Sequence, residues 1–476
     1  MDALDNPAQD DLSEEDSAIL ERVVWRKLDR CVLFMCAMFY LISSLDRNNI
    51  GNARVAGMQT ALKMSNYQYT LALTITYIPY IAMELPSNLI LKRVGPNLML
   101  PAMVTLWGIV SAMQGLVTSY TGLLLCRFFL GLTEGGLFPG LVLHLSSFYP
   151  RERLQIRITA FFVSVSLTGA FSGLLAAAIL QMDGIGGKPG WAWIFILEGL
   201  FTFTFGILSF FALPRSPETV RFLSLKERLY VVSKLKSSKA ISDDHRQDDF
   251  SWMEVLRAIR SPQVLMLCVL VFFGGTLFGG LSFFEPTIVA GLGYTGNQAQ
   301  LMSVPPFAAA FLASMISAFV SDRYGCRGLT VIFFAIWSVI GFSMFYAATS
   351  QRVQYASLFF SVTGAYASAP AGVTWLANNS APHIRRASSI AFAIVSSNLG
   401  GVLAIWLLGF LSPAPKYTAA TITFIAMSIG QAVVSSLNLF YLSRENRAKA
   451  EMRLSMAKDD ESDHLGDRSA WFVYAL

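Results

Sequence analysis

Charge is what this chain has least of. Asp, Glu, Lys and Arg make up 14% of its 476 residues, where a soluble domain carries about 25%. That shortage excludes an ordinary soluble globule, and a mean hydropathy of +0.51 points the same way. The five cysteines are scattered, mostly inside apolar runs, with no paired or metal-ligand spacing. They read as reduced core thiols, which excludes a disulfide framework and a cysteine-built metal site. The four histidines are equally scattered. HExxH, GxSxG, a phosphate loop and a cofactor fingerprint are all missing, and no polar loop is large enough to build a soluble active site, so an enzyme is not expected. The first thirty residues are acidic, then basic, and polar throughout. A signal peptide needs an early basic region followed at once by an apolar one, and that pattern is not there.

Hydrophobic residues account for 54% of the chain, and phenylalanine alone for 36 positions. Apolar runs long enough to cross a bilayer, about 20 residues each, lie near 31–50, 69–89, 98–118, 122–146, 158–181 and 191–213. A second set of six lies near 263–290, 300–320, 329–348, 354–379, 388–411 and 418–442. The reading is an all-α polytopic membrane protein of 12 transmembrane helices in two six-helix bundles. A cytoplasmic tail at 1–30 precedes the first bundle at 31–213. A central loop at 214–262, with a surface helix at 225–235, separates it from the second bundle at 263–442, and a tail at 443–476 closes the chain. Basic residues orient this arrangement. With both termini inside, the five inner loops hold nineteen Lys and Arg and the six outer loops hold five. Both tails are therefore expected in the cytoplasm. The loops at Asn88–Gly95 and Ala318–Gly325 both end in basic-x-Gly, as duplicated bundles rocking about a central cavity would have it. Arg93, Gly95, Asp322 and Arg323 are the gating candidates there.

Two basic residues, Arg47 and Arg127, fall inside spans, together with Asp46, Glu84, Glu134, Glu198 and Glu285. A charge at the bilayer centre costs at least about 2.5–3.5 kcal/mol, so such groups are functional candidates by default. Arg127 and Glu134 are seven apart in CRFFLGLTEGGLFPG, hence on one helix face and about 10.5 Å apart along the axis. They are placed to line one cavity at two depths. Asp46 and Arg47, in SSLDRNNIGNARVAGM, adjoin it from the first span. A guanidinium presents a fork of donors that matches a carboxylate and stays charged at any cellular pH, so two of them beside a cavity suggest an organic anion. Glu134, among Gly131, Gly135 and Gly136, is a carboxyl that could exchange a proton as the cavity opens alternately. The competing reading of these charges is a buried network that locks spans 1 and 4 together. Glu84 reads equally well as a helix-end residue, and Glu198 and Glu285 read as structural.

Gly131, Gly135 and Pro139 stand at four-residue steps, which lets span 4 pack closely and bend. Asn48, Asn49, Asn52 and Asn398 need partners at membrane depth, either substrate or other helices. Tyr77, Tyr80, Phe283, Phe284 and Trp375 could stack on a flat substrate.

The stretches LDRNNIGNARVAGM, RFFLGLTEGGLFPG, YPRERLQIR, GGKPGWAWIFILEGLF, LPRSPETVRFL and WLANNSAPHIRRA…SSNLGG resemble the major facilitator superfamily. More narrowly, they resemble its anion:cation symporter family, in the fungal allantoate and nicotinate permease branch. The resemblance covers nearly the whole chain. It implies the twelve-helix major facilitator fold and uptake of small organic anions, generally with protons. It further implies that Arg47 and Arg127 hold the substrate carboxylate, with Asn398, Tyr80 and Asn48 beside them, and that Asp46 and Glu134 couple the proton. The first-half loop departs from the superfamily pattern, with Lys92 where an Asp is usual, whereas the second half keeps Asp322-Arg323. The first-half gate is then weaker or built differently. The Gly-Pro pair of antiporters is missing from LTGAFSGLLAAAI, which favours uptake over exchange.

The expectation is thus a secondary transporter that imports a small carboxylate, such as nicotinate, allantoate or another vitamin or nitrogen-source acid, by proton symport with alternating access. A proton-independent facilitator or exchanger and a non-transporting nutrient sensor are the alternatives. No cofactor is expected beyond the coupling proton. The expected partners are the organic anion and the lipid bilayer, with no nucleic acid, and the chain is expected to act as a monomer in the plasma membrane.

Overall fold

The computed structural model describes residues 14–150, 157, 167–243, 252–381, 383–414, 416–455 and 466–476, and every regular element among them is helical. That is what lipid demands. Backbone N–H and C=O groups find no partner in hydrocarbon, and a helix satisfies them within the segment.

Helix α1 (Glu14–Leu28) runs through a π turn (Asp29–Leu33) into α2 (Phe34–Val55). The short α3 (Met58–Ala61) leads to α4 (Asn66–Val94), which Ser65 and Gln68 start with a reciprocal capping box. Then come α5 (Pro96–Gln114), α6 (Tyr120–Glu134), α7 (Leu137–Ser146), α8 (Leu167–Met182) and α9 (Gly190–Ala212). The central segment carries α10 (Leu225–Asp243) and α11 (Trp252–Arg260). The second half is α12 (Pro262–Gly291), α13 (Gly296–Tyr324), α14 (Arg327–Ala347), α15 (Gln351–Asn378), α16 (His383–Trp406, continued as a π turn Leu407–Leu411) and α17 (Thr418–Ser455). Nine of the described helical stretches are long and apolar enough to cross a membrane. Helices α4 and α15 have the length with more polar content, and the expected span at 158–181 is described only from Leu167. With these three the order accommodates twelve crossings.

Small residues set the packing. Without a hydrophobic drive between helices in lipid, close backbone approach is what holds them together. In the first half, a Cβ on Gly199 would strike the backbone of Ala112, and one on Gly108 that of Phe203, so α5 and α9 touch backbone to backbone. In the second half, Gly275 and Gly400 do the same for α12 and α16, and Gly341 and Gly364 for α14 and α15. Large apolar side chains such as Ile78, Phe211, Phe319 and Phe440 stand exposed on the outside, where a bilayer would cover them.

One end of the molecule gathers the tails. Lys27 of α1 bonds Glu227 of α10 at 2.7 Å, and Arg157 grips Asp29 through two bonds of 2.9 and 3.0 Å. Glu254 of α11 takes two bonds from Arg385 at 3.0 and 2.8 Å, and Arg385 also pairs with Asp467 of the C-terminal segment. The central segment thus touches both tails, so all three lie at one end, here the tail end. The opposite end is here the far end. There the two halves close on each other. Gly51 of α2 lies under the Phe283 carbonyl of α12, the Asn52 carbonyl accepts from Gln300 at 3.1 Å, and Tyr67 of α4 packs edge-on to Trp406 and Phe410.

Candidate functional site

Between the halves lies a cavity of about 180 Å³, lined from the first half by Tyr40, Arg47, Tyr77, Tyr80 and Phe138 and from the second by residues of α12, α15, α16 and α17. Arg47 is its only arginine or lysine among the described residues. Its Nε donates to Glu134 at 2.9 Å, and its guanidinium lies 4.8 Å from the centre of the Tyr80 ring. The Arg47 side chain is 33% exposed and that of Glu134 only 2%. The arginine therefore faces the cavity with the carboxylate hidden behind it. Ser43, one turn before Arg47, completes the acid's shell by donating to the same Glu134 oxygen. Glu134 reaches this position because α6 stops there. Gly135 leaves the helix, Gly136 takes a left-handed conformation at φ 95°, and Pro139 falls in the first turn of α7, where its missing N–H costs nothing. Span 4 is thus broken rather than bent. Gly131 and Gly135 let this break press against α4, where an added Cβ would meet the Thr76 and Tyr80 carbonyls.

The other charges are elsewhere. Asp46, expected at the cavity, points into the first bundle, where Trp107 Nε1 and Ser111 Oγ donate to its two oxygens at 2.5 and 3.0 Å. The 100° turn per residue that puts Arg47 on the cavity side puts its neighbour on the bundle side. Arg127, expected as the second cavity arginine, is buried, lies 5.8 Å from the centre of the Phe195 ring, and leaves Nε and one Nη without a hydrogen-bond partner among the described residues. It shares a helix face with Glu134 but sits two turns nearer the far end, where the halves are closed. Asn48 is not at the cavity either. It accepts from Ser282 at 2.5 Å and so bonds α2 to α12 across the halves. Asn49 donates to Glu198. Glu285 is fully buried, with both oxygens unpartnered among the described residues.

From the second half, Asn398 and Gln431 line the cavity, the Asn398 amide nitrogen and the Gln431 amide oxygen having no hydrogen-bond partner among the described residues. Tyr77 and Phe283 meet edge to face at 6.5 Å on its wall. Two other expected aromatics are not there. Trp375 donates to the Ala475 carbonyl at the tail end, and Phe284 packs against Tyr69 at the far end. Arg93 and Arg323 are exposed at the tail end, and Gly95 turns between α4 and α5 at φ 92°. The side chain of Asp322 lies outside the described residues. Ser43, Ser282 and Gln431 escaped the sequence reading. Ser43 had a signal, its four-residue spacing from Arg47 on one helix face.

Two helical bundles enclosing a largely apolar, arginine-bearing cavity within an apolar exterior define a multi-pass membrane transporter rather than an enzyme. The chain belongs to the Major Facilitator Superfamily, which it matches over residues 36–405 and 267–471. An uncharacterized transporter of Schizosaccharomyces pombe is 34% identical over 466 residues, covering 98% of this chain and 91% of its own. The high-affinity nicotinic acid transporter of Saccharomyces cerevisiae is 26% identical over 440 residues, covering 92% and 81%. Among solved structures, a D-xylose-proton symporter aligns with a TM-score of 0.67 at 13% identity, over 85% of this chain and 96% of that one. At that identity the likeness concerns the fold alone.

Proposed function

We propose that this transporter imports a small organic anion, a flat monocarboxylate such as nicotinate in the first instance, by proton symport, as a member of the anion:cation symporter branch. The observation that carries the reading is the Arg47–Glu134 pair, a cavity-facing guanidinium held by a hidden carboxylate. An incoming carboxylate and Glu134 compete for the same guanidinium. A proton on Glu134 ends the competition and leaves Arg47 to the substrate. Deprotonation after release restores the pair. Anion and proton thus move together because one arginine cannot serve two carboxylates in a low-dielectric site. A cavity of about 180 Å³ falls below the 300–1,000 Å³ common for drug-sized ligands and suits a small acid. Tyr80 and Tyr77 offer ring faces, and Asn398 offers an amide donor. The distant likeness to a nicotinic acid transporter supports the same substrate class.

In this reading the halves 31–213 and 263–442 rock about the cavity as a monomer in the plasma membrane, with both tails and the central segment in the cytoplasm. The far end is then the outer face, closed here. Arg127, two turns toward it, meets the anion when that end opens, and Asp46 fixes the helix that carries Arg47. Gly131, Gly135 and Pro139 supply the joint in span 4. Gly95 and Arg93, with Asp322 and Arg323, supply the tail-end hinges. No cofactor takes part beyond the proton.

The test is uptake of a panel of labelled carboxylates by a transport-deficient host at pH 5 and pH 7.5, with Arg47→Ala and Glu134→Gln alongside the wild type. Acid-stimulated uptake of one compound, lost in Arg47→Ala, is the expected result. Uptake indifferent to pH and to Glu134→Gln removes the proton role, and no uptake of any carboxylate removes the substrate class.

A further inference from the structure

Seven residues beyond Arg47 on α2 stands Arg54, on the same helix face and about 10.5 Å nearer the far end. Glu134 is paired with Arg47, so Arg127, seven residues back on the oppositely running α6, lies at about the depth of Arg54. Tyr69 is within Coulombic reach of both guanidiniums, and Arg54 lies 4.3 Å from the centre of its ring. A cationic layer thus sits above the cavity. Arg54 opens on the outer side of this layer into a groove of about 620 Å³ at the far end, shared with Gln59, Thr60, Lys63, Thr287 and Tyr294. Among the described residues, no acidic one lines it.

The cations are held ready rather than neutralised. Arg54 donates to Gln59 at 2.8 Å and to Asn66 at 3.0 Å, both neutral amides. Lys63 is exposed and makes no ion pair among the described residues. Its backbone is left-handed at φ 52°, a conformation a lysine rarely adopts and one that gathers at functional positions. A groove whose charges are of one sign concentrates counter-ions and raises their rate of arrival.

We propose that this groove is a second, outer anion site, in which Arg54 and Lys63 capture an organic carboxylate and deliver it to Arg127 and Arg47 when the far end opens. The capture site rests on the transport reading for its purpose, but it binds anions whether or not that reading holds.

The first arm of the test needs no transported substrate. Thr60→Cys is introduced into the full chain in cells, and labelling is followed with two membrane-impermeant methanethiosulfonates, one bearing a sulfonate and one a quaternary ammonium. The wild type reports the background from the five native cysteines. Relative to a free thiol, the sulfonate reagent is expected to gain about tenfold over the cationic one at low ionic strength, a preference that shrinks in salt. Adding Lys63→Gly should cut it severalfold, and glycine suits the φ at that position, so this variant removes charge without strain. Adding Arg54→Gln as well should abolish it. Equal rates, or a preference for the cationic reagent, overturn the proposal. Labelling seen only after permeabilisation also overturns it, because the groove would then face inward. The second arm is nicotinate uptake. Lys63→Gly should raise KM about threefold or more with the maximal rate kept. If the wild type takes up no nicotinate while the labelling preference stands, the substrate reading fails and the anion groove survives. If nicotinate is taken up but neither KM nor labelling responds to Lys63→Gly, the groove fails and the transport reading survives.

Discussion

The two halves share a helical plan but not a chemistry. At membrane depth the first half carries Asp46, Arg47, Glu84, Arg127, Glu134 and Glu198, and the second carries Glu285 as its one comparable charge. The second half meets the cavity with amides and aromatics instead, through Asn398, Gln431, Phe283 and Tyr366. In the proposed reading, one bundle holds the charges that recognise an anion and the other supplies a neutral wall. Concentrating charges in one bundle lets them compensate each other, as Arg47 and Glu134 do, so that neither is left bare in low dielectric when the halves separate.

This asymmetry can be broken at graded cost. Arg47→Ala should have the largest effect, because it strips the cavity of its cation and leaves Glu134 buried and unpaired. Breaking such a pair from one side costs about 3–5 kcal/mol, and initial uptake should fall by about a hundredfold or more. Glu134→Gln keeps the shape and removes the charge. Its uptake should lose the difference between pH 5 and pH 7.5, measured as the ratio of initial rates, and a ratio equal to that of the wild type would return Glu134 to a purely structural role. On the neutral wall, Asn398→Ala should raise KM up to about tenfold with the maximal rate largely kept, the scale of one uncharged hydrogen bond at about 0.5–1.5 kcal/mol. A loss as deep as that of Arg47→Ala would end the contrast between the halves. Ser282→Ala removes the bond to Asn48 that ties α2 to α12. It should shift the balance between conformations by about 1 kcal/mol, read as severalfold faster modification of a far-end cysteine.

The smallest effect lies outside the membrane, where the first half's tail meets the central segment. Burial pushes the Glu227 carboxyl up, but the bonds from Lys27 and Ser224 outweigh it and hold the group below its ordinary value of 4.5. A carboxyl with a depressed folded value contributes stability above its unfolded value and loses it as pH falls through the folded one. The docking of α1 on α10 should therefore hold near neutrality and loosen below about pH 4.5. The protection of the α1 amides, taken relative to their intrinsic exchange rates at each pH, should fall there in the wild type and be insensitive to that step in Glu227→Gln.

Much of this was legible in the sequence, and the parts that were not share a cause. Twelve apolar runs, the basic-residue asymmetry and the glycine steps of α6 are local patterns, and each has a local physical reason. The pairing of Arg47 with Glu134 was half legible: both were singled out, but only the fold brought them within 2.9 Å. Asp46 was placed at the cavity and lies against Trp107 and Ser111. Arg127 was placed there too and lies on Phe195. Periodicity tells which residues share a helix face, as it does for Arg127 and Glu134. It does not tell which face a neighbouring helix covers, or at which depth the two halves close.

The sequence by itself determined that this chain lives in a membrane, how its helices are punctuated, and which charges are too costly to be there by accident. Burial in lipid forces those properties on every segment separately. Only the tertiary structure decided which charges face the cavity, which lock a bundle and which remain unpaired. Those outcomes depend on the rotation and depth of helices packed against partners far away in the chain. At the Gly135–Gly136 break they depend on one helix ending so that Glu134 can stand behind Arg47.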